Sequence, residues 1–204
     1  MKILDNSDKY LLPLLPQIIS EKLDKKADNI KFIGGGSFGR VYKTVLSDGK
    51  TIAVKAYRVQ GSQYEEAEQL NLLSANTSVK MPKVLFTHED NETAIMAMTF
   101  VEGQNVLNPA FLLKSKSQKQ KFADDVISGM LEWHNVTNDK FGLLSNPVYD
   151  TWLEYYKKEK QEPWLAALKE LSENGKFSKK KLKLLYDATE LFNSLPEEET
   201  SPVL

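Results

Sequence analysis

The chain contains no cysteine. Disulfides, thiolate nucleophiles and cysteine-based zinc sites are therefore excluded. Histidine is scarce as well: His88 and His134 are the only two, too few for a multi-histidine metal site. No apolar run approaches the roughly 18–20 residues that a membrane helix needs. The opening Met1-Lys-Ile-Leu-Asp-Asn lacks the basic-then-apolar pattern of a secretion signal. These absences read as a cytoplasmic protein with no membrane partner. Net charge is −1, so no overall basic field attracts nucleic acid or an acidic membrane. What is present is ordinary: 41 % hydrophobic and 27 % charged residues exclude a largely disordered chain. A length of 204 residues allows one large domain or two small ones.

Hydrophobic periodicity divides the chain. Residues 11–28 read as a helix with Leu15, Ile18, Ile19 and Leu23 on one face and Pro13 and Pro16 near its start. Three short β-rich runs follow: Lys31–Ile33, Arg40–Leu46 and Thr51–Tyr57. Glycines separate the first two, and Ser47-Asp48-Gly49-Lys50 is a strong turn signal between the last two. Residues 63–75 read as a helix with acidic residues in its first turns. Strand candidates Lys83–His88 and Thr93–Val101 are joined by the polar turn 89–92. After Glu102-Gly103 the signals are helical, over 117–134, 149–172 (interrupted at Pro163) and 178–194. The reading is an α+β fold: a mixed part over 1–103 and an all-helical part over 104–204.

Chemistry-bearing residues concentrate in the first part. Residues 34–41, Gly-Gly-Gly-Ser-Phe-Gly-Arg-Val, match G-x-G-x-x-G-x-V at Gly34, Gly36, Gly39 and Val41, with Ser37 in the loop. Glycines permit tight turning and close approach of backbone amides to phosphate oxygens. A dinucleotide-binding fold needs a helix after such glycines, but Arg40–Leu46 reads as a strand. A strand–glycine loop–strand is the arrangement that covers ATP phosphates in protein kinases. Sixteen residues beyond Gly39 lies Lys55, in Ile52-Ala53-Val54-Lys55, which matches V-A-I-K conservatively. A lysine there can reach the α- and β-phosphates. A carboxylate on the next helix would orient it, and Glu65, Glu66 and Glu68 are all available.

These features resemble the aminoglycoside phosphotransferase and fructosamine kinase branch of the protein-kinase-like superfamily. In that branch the helix looks like E-A-x-x-L-x-x-L and is followed by P-x-V. Glu66-Ala-Glu-Gln-Leu-Asn-Leu-Leu73 and Met81-Pro-Lys-Val84 match both, and this register selects Glu66. Met96-Ala-Met-Thr-Phe-Val-Glu-Gly103 resembles the family's hinge strand. The resemblance implies that the Thr99 carbonyl and Val101 amide face adenine, with Met98 behind. Ala53 and Val41 complete the implied apolar lining. Leu131-Glu-Trp-His134 resembles the family's helix ending in Leu-x-x-Leu-His, which makes His134 a helix-end residue. Phe141-Gly-Leu-Leu and Asp150-Thr-Trp-Leu-Glu-Tyr-Tyr156 resemble a segment of fructosamine-kinase-like members. The implied fold is a kinase-like N-lobe, with a five-stranded antiparallel sheet plus helix, followed by a helical C-lobe.

One element of the pattern is not in these residues. The families carry H-G-D-x-x-x-x-N, whose Asp accepts the acceptor's proton and whose Asn, with a later Asp, holds Mg²⁺. The only H-x-D here is His88-Glu-Asp90, in the expected hairpin, and the residue five past Asp90 is Ile95. In the resembling families a strand like Ser201-Pro-Val-Leu204 leads into H-G-D. The reading is thus the first two-thirds of a family member, truncated at the catalytic loop. It carries three expectations. ATP binds, with Mg²⁺ only once the missing segment is present. A small-molecule hydroxyl compound is the acceptor of the full-length family. Transfer is absent from this chain alone, and its helical part exposes apolar surface prone to self-association. The alternative is a non-catalytic nucleotide- or partner-binding module. From Asn108 onward, 14 Lys and no Arg face 15 Asp plus Glu, a balance that does not strengthen the case for a polycationic acceptor. Trp152, Tyr155, Tyr156 and Trp164 can stack on a sugar or pack as core.

Overall fold

The computed structural model describes residues 3–103, 109–143 and 146–194. Helix α1 (Asp8–Leu23) is followed by β1 (Ala27–Gly35), β2 (Gly39–Leu46), β3 (Thr51–Tyr57), α2 (Ser62–Asn76), β4 (Val84–Glu89) and β5 (Ala94–Thr99). The five strands form one antiparallel sheet in the order β1-β2-β3-β5-β4. Local chemistry explains its turns. Gly49 takes φ +78° between β2 and β3, a region glycine enters without strain, and the Asp48 carboxylate accepts the Lys50 amide at 3.1 Å. Between β4 and β5, the Asp90 carboxylate accepts the amides of Glu92 and Thr93 at 2.7 and 2.6 Å. Burial opposes charge on Asp90, but these amides and His88 outweigh it and hold its carboxyl below the usual range. The aspartate of the sole His-x-Asp therefore builds a turn.

Strand β3 is buried on both faces, which its apolar residues Ile52–Val54 and Ala56–Tyr57, interrupted by Lys55, reflect. Ile52, Val54 and Ala56 join Tyr42, Leu46, Ile95 and Ala97 beneath Leu11, Leu15, Ile18 and Ile19 of α1. On the opposite face, Ala53 and Tyr57 join Met96 and Met98 beneath Ala67 of α2. The sheet thus carries one helix on each side.

Helix α1 departs from the expected span at both ends. It starts at Asp8, so Pro13 and Pro16 lie within it, not near its start. Both side chains point to solvent, where water can satisfy the carbonyls whose partners proline removes. Four buried side chains (Leu11, Leu15, Ile18 and Ile19) each contribute about 1.5–3 kcal/mol and hold the helix despite them. It ends at Leu23, five residues early, because Asp24 adopts a left-handed φ of 53° and its amide closes onto the Ser20 carbonyl at 3.0 Å.

The remaining elements are α3 (Pro109–Leu112), α4 (Lys116–His134), a hairpin of β6 (Phe141–Leu143) and β7 (Asn146–Tyr149), α5 (Trp152–Tyr156), a π-helical turn (Lys157–Gln161), α6 (Glu162–Glu173) and α7 (Lys179–Asn193). The hairpin interrupts the expected all-helical part. Runs of three and four residues carry no readable period. The interruption expected at Pro163 falls just before it, in the π turn; Pro163 itself occupies the first turn of α6, where its missing amide costs nothing. The expected boundary after Gly103 abuts residues 104–108, and Ser201–Leu204 also lie outside the described residues. Backbone contacts group the chain into compact units Met1–Val136 and Thr137–Leu204. Among the described residues, no helix is long and apolar enough to cross a membrane.

Helix α4 belongs to the first unit for a specific reason. The Glu132 carboxylate accepts both the amide and the hydroxyl of Ser78, at 2.6 and 2.8 Å, in the segment between α2 and β4. A capping box of Ser115 and Gln118 starts the helix. Phe122, Val126 and Met130 along α4 remain 41–48 % exposed. The Ser78 amide, then its hydroxyl, hold the Glu132 carboxyl below the usual glutamate range. The folded-state value is lowered, so this tie is complete above the ordinary glutamate pKa and is lost as pH falls through the folded-state value. Melting curves of wild type and Glu132→Gln are expected to differ at neutral pH and to converge in acid. A pH-independent difference would show that the carboxylate charge is not what ties α4 down.

Candidate functional site

Antiparallel register settles which side chains share a face, since directly opposed residues point the same way. Val41 opposes Lys55, and Lys43 opposes Ala53. Lys55 opposes Met96, and Ala53 opposes Met98. Val41, Ala53, Lys55 and Met98 therefore all point to the α2 side of the sheet. The opposite face is filled by α1.

Lys55 is the charged centre of this face. Its ammonium pairs with the Glu66 carboxylate of α2. Glu65 and Glu68 lie exposed on the helix surface, so α2 presents one carboxylate of the three to the lysine. Lys55 Nζ also sits 4.7 Å from the centroid of the Tyr57 ring, a favourable cation–π distance. Burial, then the Glu66 charge, push the Tyr57 hydroxyl well above its usual value, so it stays neutral. The helix that carries Glu66 is itself fixed: Glu89 on β4 accepts the Gly61 amide at 2.7 Å and the Gln63 side-chain amide at 2.5 Å at the start of α2. A half-buried ammonium, 21 % exposed, oriented by one carboxylate keeps donor capacity for a second anion.

The glycine turn closes β1 onto β2. The Gly36 amide donates to the Gly39 carbonyl at 2.9 Å, and the Arg58 amide donates to the Phe38 carbonyl at 3.2 Å. Its glycines have different duties. A Cβ on Gly39 would lie 2.2 Å from the Ala56 carbonyl oxygen, so β3 excludes any side chain there. A Cβ on Gly34 or Gly36 would meet nothing within 4 Å, and neither has positive φ. Folding alone does not demand glycine at 34 or 36. The open space at these two positions leaves room for a ligand to approach the backbone, although the Gly36 amide itself is held by the Gly39 carbonyl. Ser37, between Gly36 and Phe38, is exposed in the same turn.

The hinge residues lie at the other end of β3, where Ile52 opposes Thr99. Gly39 opposes Tyr57, so glycine turn and hinge are separated by about 17 Å of strand, five steps of roughly 3.3 Å. The Thr99 amide donates to the Lys83 carbonyl at 2.8 Å, and the Thr99 hydroxyl accepts the Lys83 amide at 2.8 Å. The end of β5 is thereby pinned to the segment preceding β4. The Val101 amide has no backbone partner among the described residues, and its side chain is 37 % exposed.

Three neighbours of the site escaped the sequence reading. Lys43 reaches the hinge, 4.2 Å from the Phe100 ring centroid and 3.4 Å from Glu102. Phe38, at the turn's tip, is 82 % exposed, and Ile33 before it is 47 % exposed. Unburied apolar side chains flanking a glycine turn are the available signal, and it shows only once burial is known. In the second unit Trp152 stacks on Tyr156 with centroids 5.0 Å apart, and Phe192 packs edge-on against Trp152 and tilted against Tyr156. Tyr155 pairs instead with Tyr149. Trp164 joins no ring contact among the described residues.

Comparison with known proteins supports one assignment. The model of the phosphotransferase enzyme family matches residues 29–196. A protein assigned as a fructosamine-3-kinase from Thermobifida fusca superposes with a TM-score of 0.64 at 17 % identity, over 93 % of this chain and 65 % of that one. The gentamicin complex of APH(2")-IIa superposes with a TM-score of 0.62 at 14 % identity, over 94 % and 59 % of the two chains. In sequence, the MAP kinase kinase kinase SSK2 of Saccharomyces cerevisiae is 42 % identical over 66 residues, which are 30 % of this chain and 4 % of that protein. The chain thus spans about two-thirds or less of the length of these relatives. The structural likenesses show the shared kinase-like fold, and the family match covers most of the chain: this protein belongs to the phosphotransferase enzyme family.

Proposed function

We propose that the α2 face of the sheet binds ATP. The observation that carries this reading is the Lys55–Glu66 pair on that face, at the end of the sheet that bears the glycine turn. In this reading the backbone of Gly34, Gly36, Ser37 and Gly39 approaches the phosphates and Lys55 neutralises them. Val41, Ala53 and Met98 cover the purine, and the Thr99 carbonyl and Val101 amide read its edge. Residues 1–103 form the nucleotide lobe, and 104–204 contribute to the acceptor lobe. Related structures were solved with streptomycin and ATP, with ADP and with GDP, which supports a purine nucleotide as the ligand. By analogy with the streptomycin and gentamicin complexes, the proposed acceptor is a small molecule with a hydroxyl group. Among the described residues no cluster of acidic or histidine side chains suits a metal, and the 204 residues contain no His-Gly-Asp. The donors of the described residues do not fit Mg²⁺.

The alternative reading is a module that binds nucleotide without turnover. Calorimetric titration of the chain with ATP, alongside an assay for ATP consumption with hydroxyl acceptors, separates the two. Saturable binding without consumption is expected for residues 1–204. Consumption dependent on an acceptor would overturn the expected inactivity, and absence of binding would overturn the ATP site itself.

A further inference from the structure

The glycine turn is braced from behind, on the face that nucleotide would not touch. Asp8, the first residue of α1, receives Arg40 Nε at 3.0 Å on one carboxylate oxygen and an Arg40 terminal nitrogen at 2.8 Å on the other. The Tyr42 hydroxyl donates to the same carboxylate at 2.7 Å. Arg40 immediately follows Gly39 and opposes Gly35 across the turn. Its guanidinium lies 4.2 Å from the Phe32 ring centroid, and Phe32 meets Tyr42 edge-on at 5.9 Å. Phe32 belongs to β1, while Arg40 and Tyr42 belong to β2. One carboxylate therefore ties the β2 arm of the turn to α1 directly, and the β1 arm only through the packing of Phe32 on Arg40 and Tyr42. The fork of arginine suits this two-point grip, and a lysine could not reproduce it.

The residues just before Asp8 hold the other support of the turn. The Leu4 amide donates to the Arg58 carbonyl at 2.8 Å, and Arg58 Nε donates to Asn6 at 3.3 Å. The Arg58 amide in turn holds the Phe38 carbonyl at the tip. Arg40 and Arg58 are the chain's two arginines, and both connect the segment Ile3–Asp8 to the glycine turn.

We infer that Asp8 is a positioning residue for the nucleotide site, acting through Arg40 and Tyr42 to hold the glycine turn in the shape that presents its amides to phosphate. This rests on the ATP-site reading above. A turn of glycines is entropically costly to order. A brace that orders it before binding removes that cost from the binding step.

The test measures ATP affinity by calorimetry, melting temperature, and hydrogen exchange of the amides of residues 34–41. The variants are Asp8→Asn, Arg40→Lys and, as a reference for the site itself, Lys55→Met. Arg40→Lys leaves Asp8 in place at the start of α1, so any loss it causes is not a helix-end effect. Both brace variants are expected to weaken ATP binding about three- to tenfold and to speed exchange within the turn. If both lower the melting temperature but leave ATP affinity unchanged while Lys55→Met weakens it, Asp8 is merely structural and the inference fails alone. If wild type binds no ATP, the site reading fails and the inference falls with it.

Discussion

Alanine at Gly39 is expected to destabilise the fold by about 2–4 kcal/mol, as overpacking against a rigid neighbour does. The added Cβ would stand 2.2 Å from the Ala56 carbonyl oxygen. That oxygen is main chain on the central pair of strands and cannot rotate aside, so β2 and β3 would have to part where Gly39 opposes Tyr57. For a chain of this size the melting temperature should fall by about 5–15 °C. Alanine at Gly34 or Gly36, where the space is open, should leave stability within about 0.5 kcal/mol of wild type while weakening ATP binding. Three melting curves and three titrations therefore separate the glycine required by the sheet from those available to a ligand. Gly39→Ala melting beside wild type would refute the steric assignment.

Methionine at Lys55 is expected to do the reverse, sparing the fold and removing affinity. Its unbranched side chain fits beside Val41 and Met96, the residues that oppose Lys55 on either side. Volume-conserving changes of this kind cost less than about 1.5 kcal/mol. The change leaves Glu66 without its cation, but that carboxylate is 34 % exposed and water can hydrate it. A charge-assisted bond to phosphate contributes about 1.5–3 kcal/mol. ATP affinity should therefore fall roughly ten- to hundredfold, and the loss should be smaller at high salt. Unchanged affinity in Lys55→Met would mean that nucleotide, if bound, does not engage this face.

Much of this site was legible before any coordinates. The run Gly34–Val41 and the short β-rich run bearing Lys55 are local signals, because turn chemistry and strand propensity act between near neighbours in sequence. The choice of Glu66 over Glu65 and Glu68 was not available from period alone; a resemblance in register singled it out, and α2 places it against Lys55. The extent of α1 was misread because prolines are strong local breakers, and only burial of Leu11, Leu15, Ile18 and Ile19 against the sheet overrides them. The β6–β7 hairpin was missed because its strands are too short to show a period.

By itself the sequence determined the element order from α1 to β5, the family resemblance and the run of glycines followed by Lys55. Tertiary structure alone decided which side of the sheet each residue serves. It placed Val41, Ala53, Lys55 and Met98 together toward α2 and committed Arg40 and Tyr42 to Asp8 behind them. The reason is geometric. A strand assigns alternate residues to opposite faces, but which face receives which helix depends on contacts such as Asp8 with Arg40, 32 residues apart in the chain, and no local pattern encodes a partner at that distance.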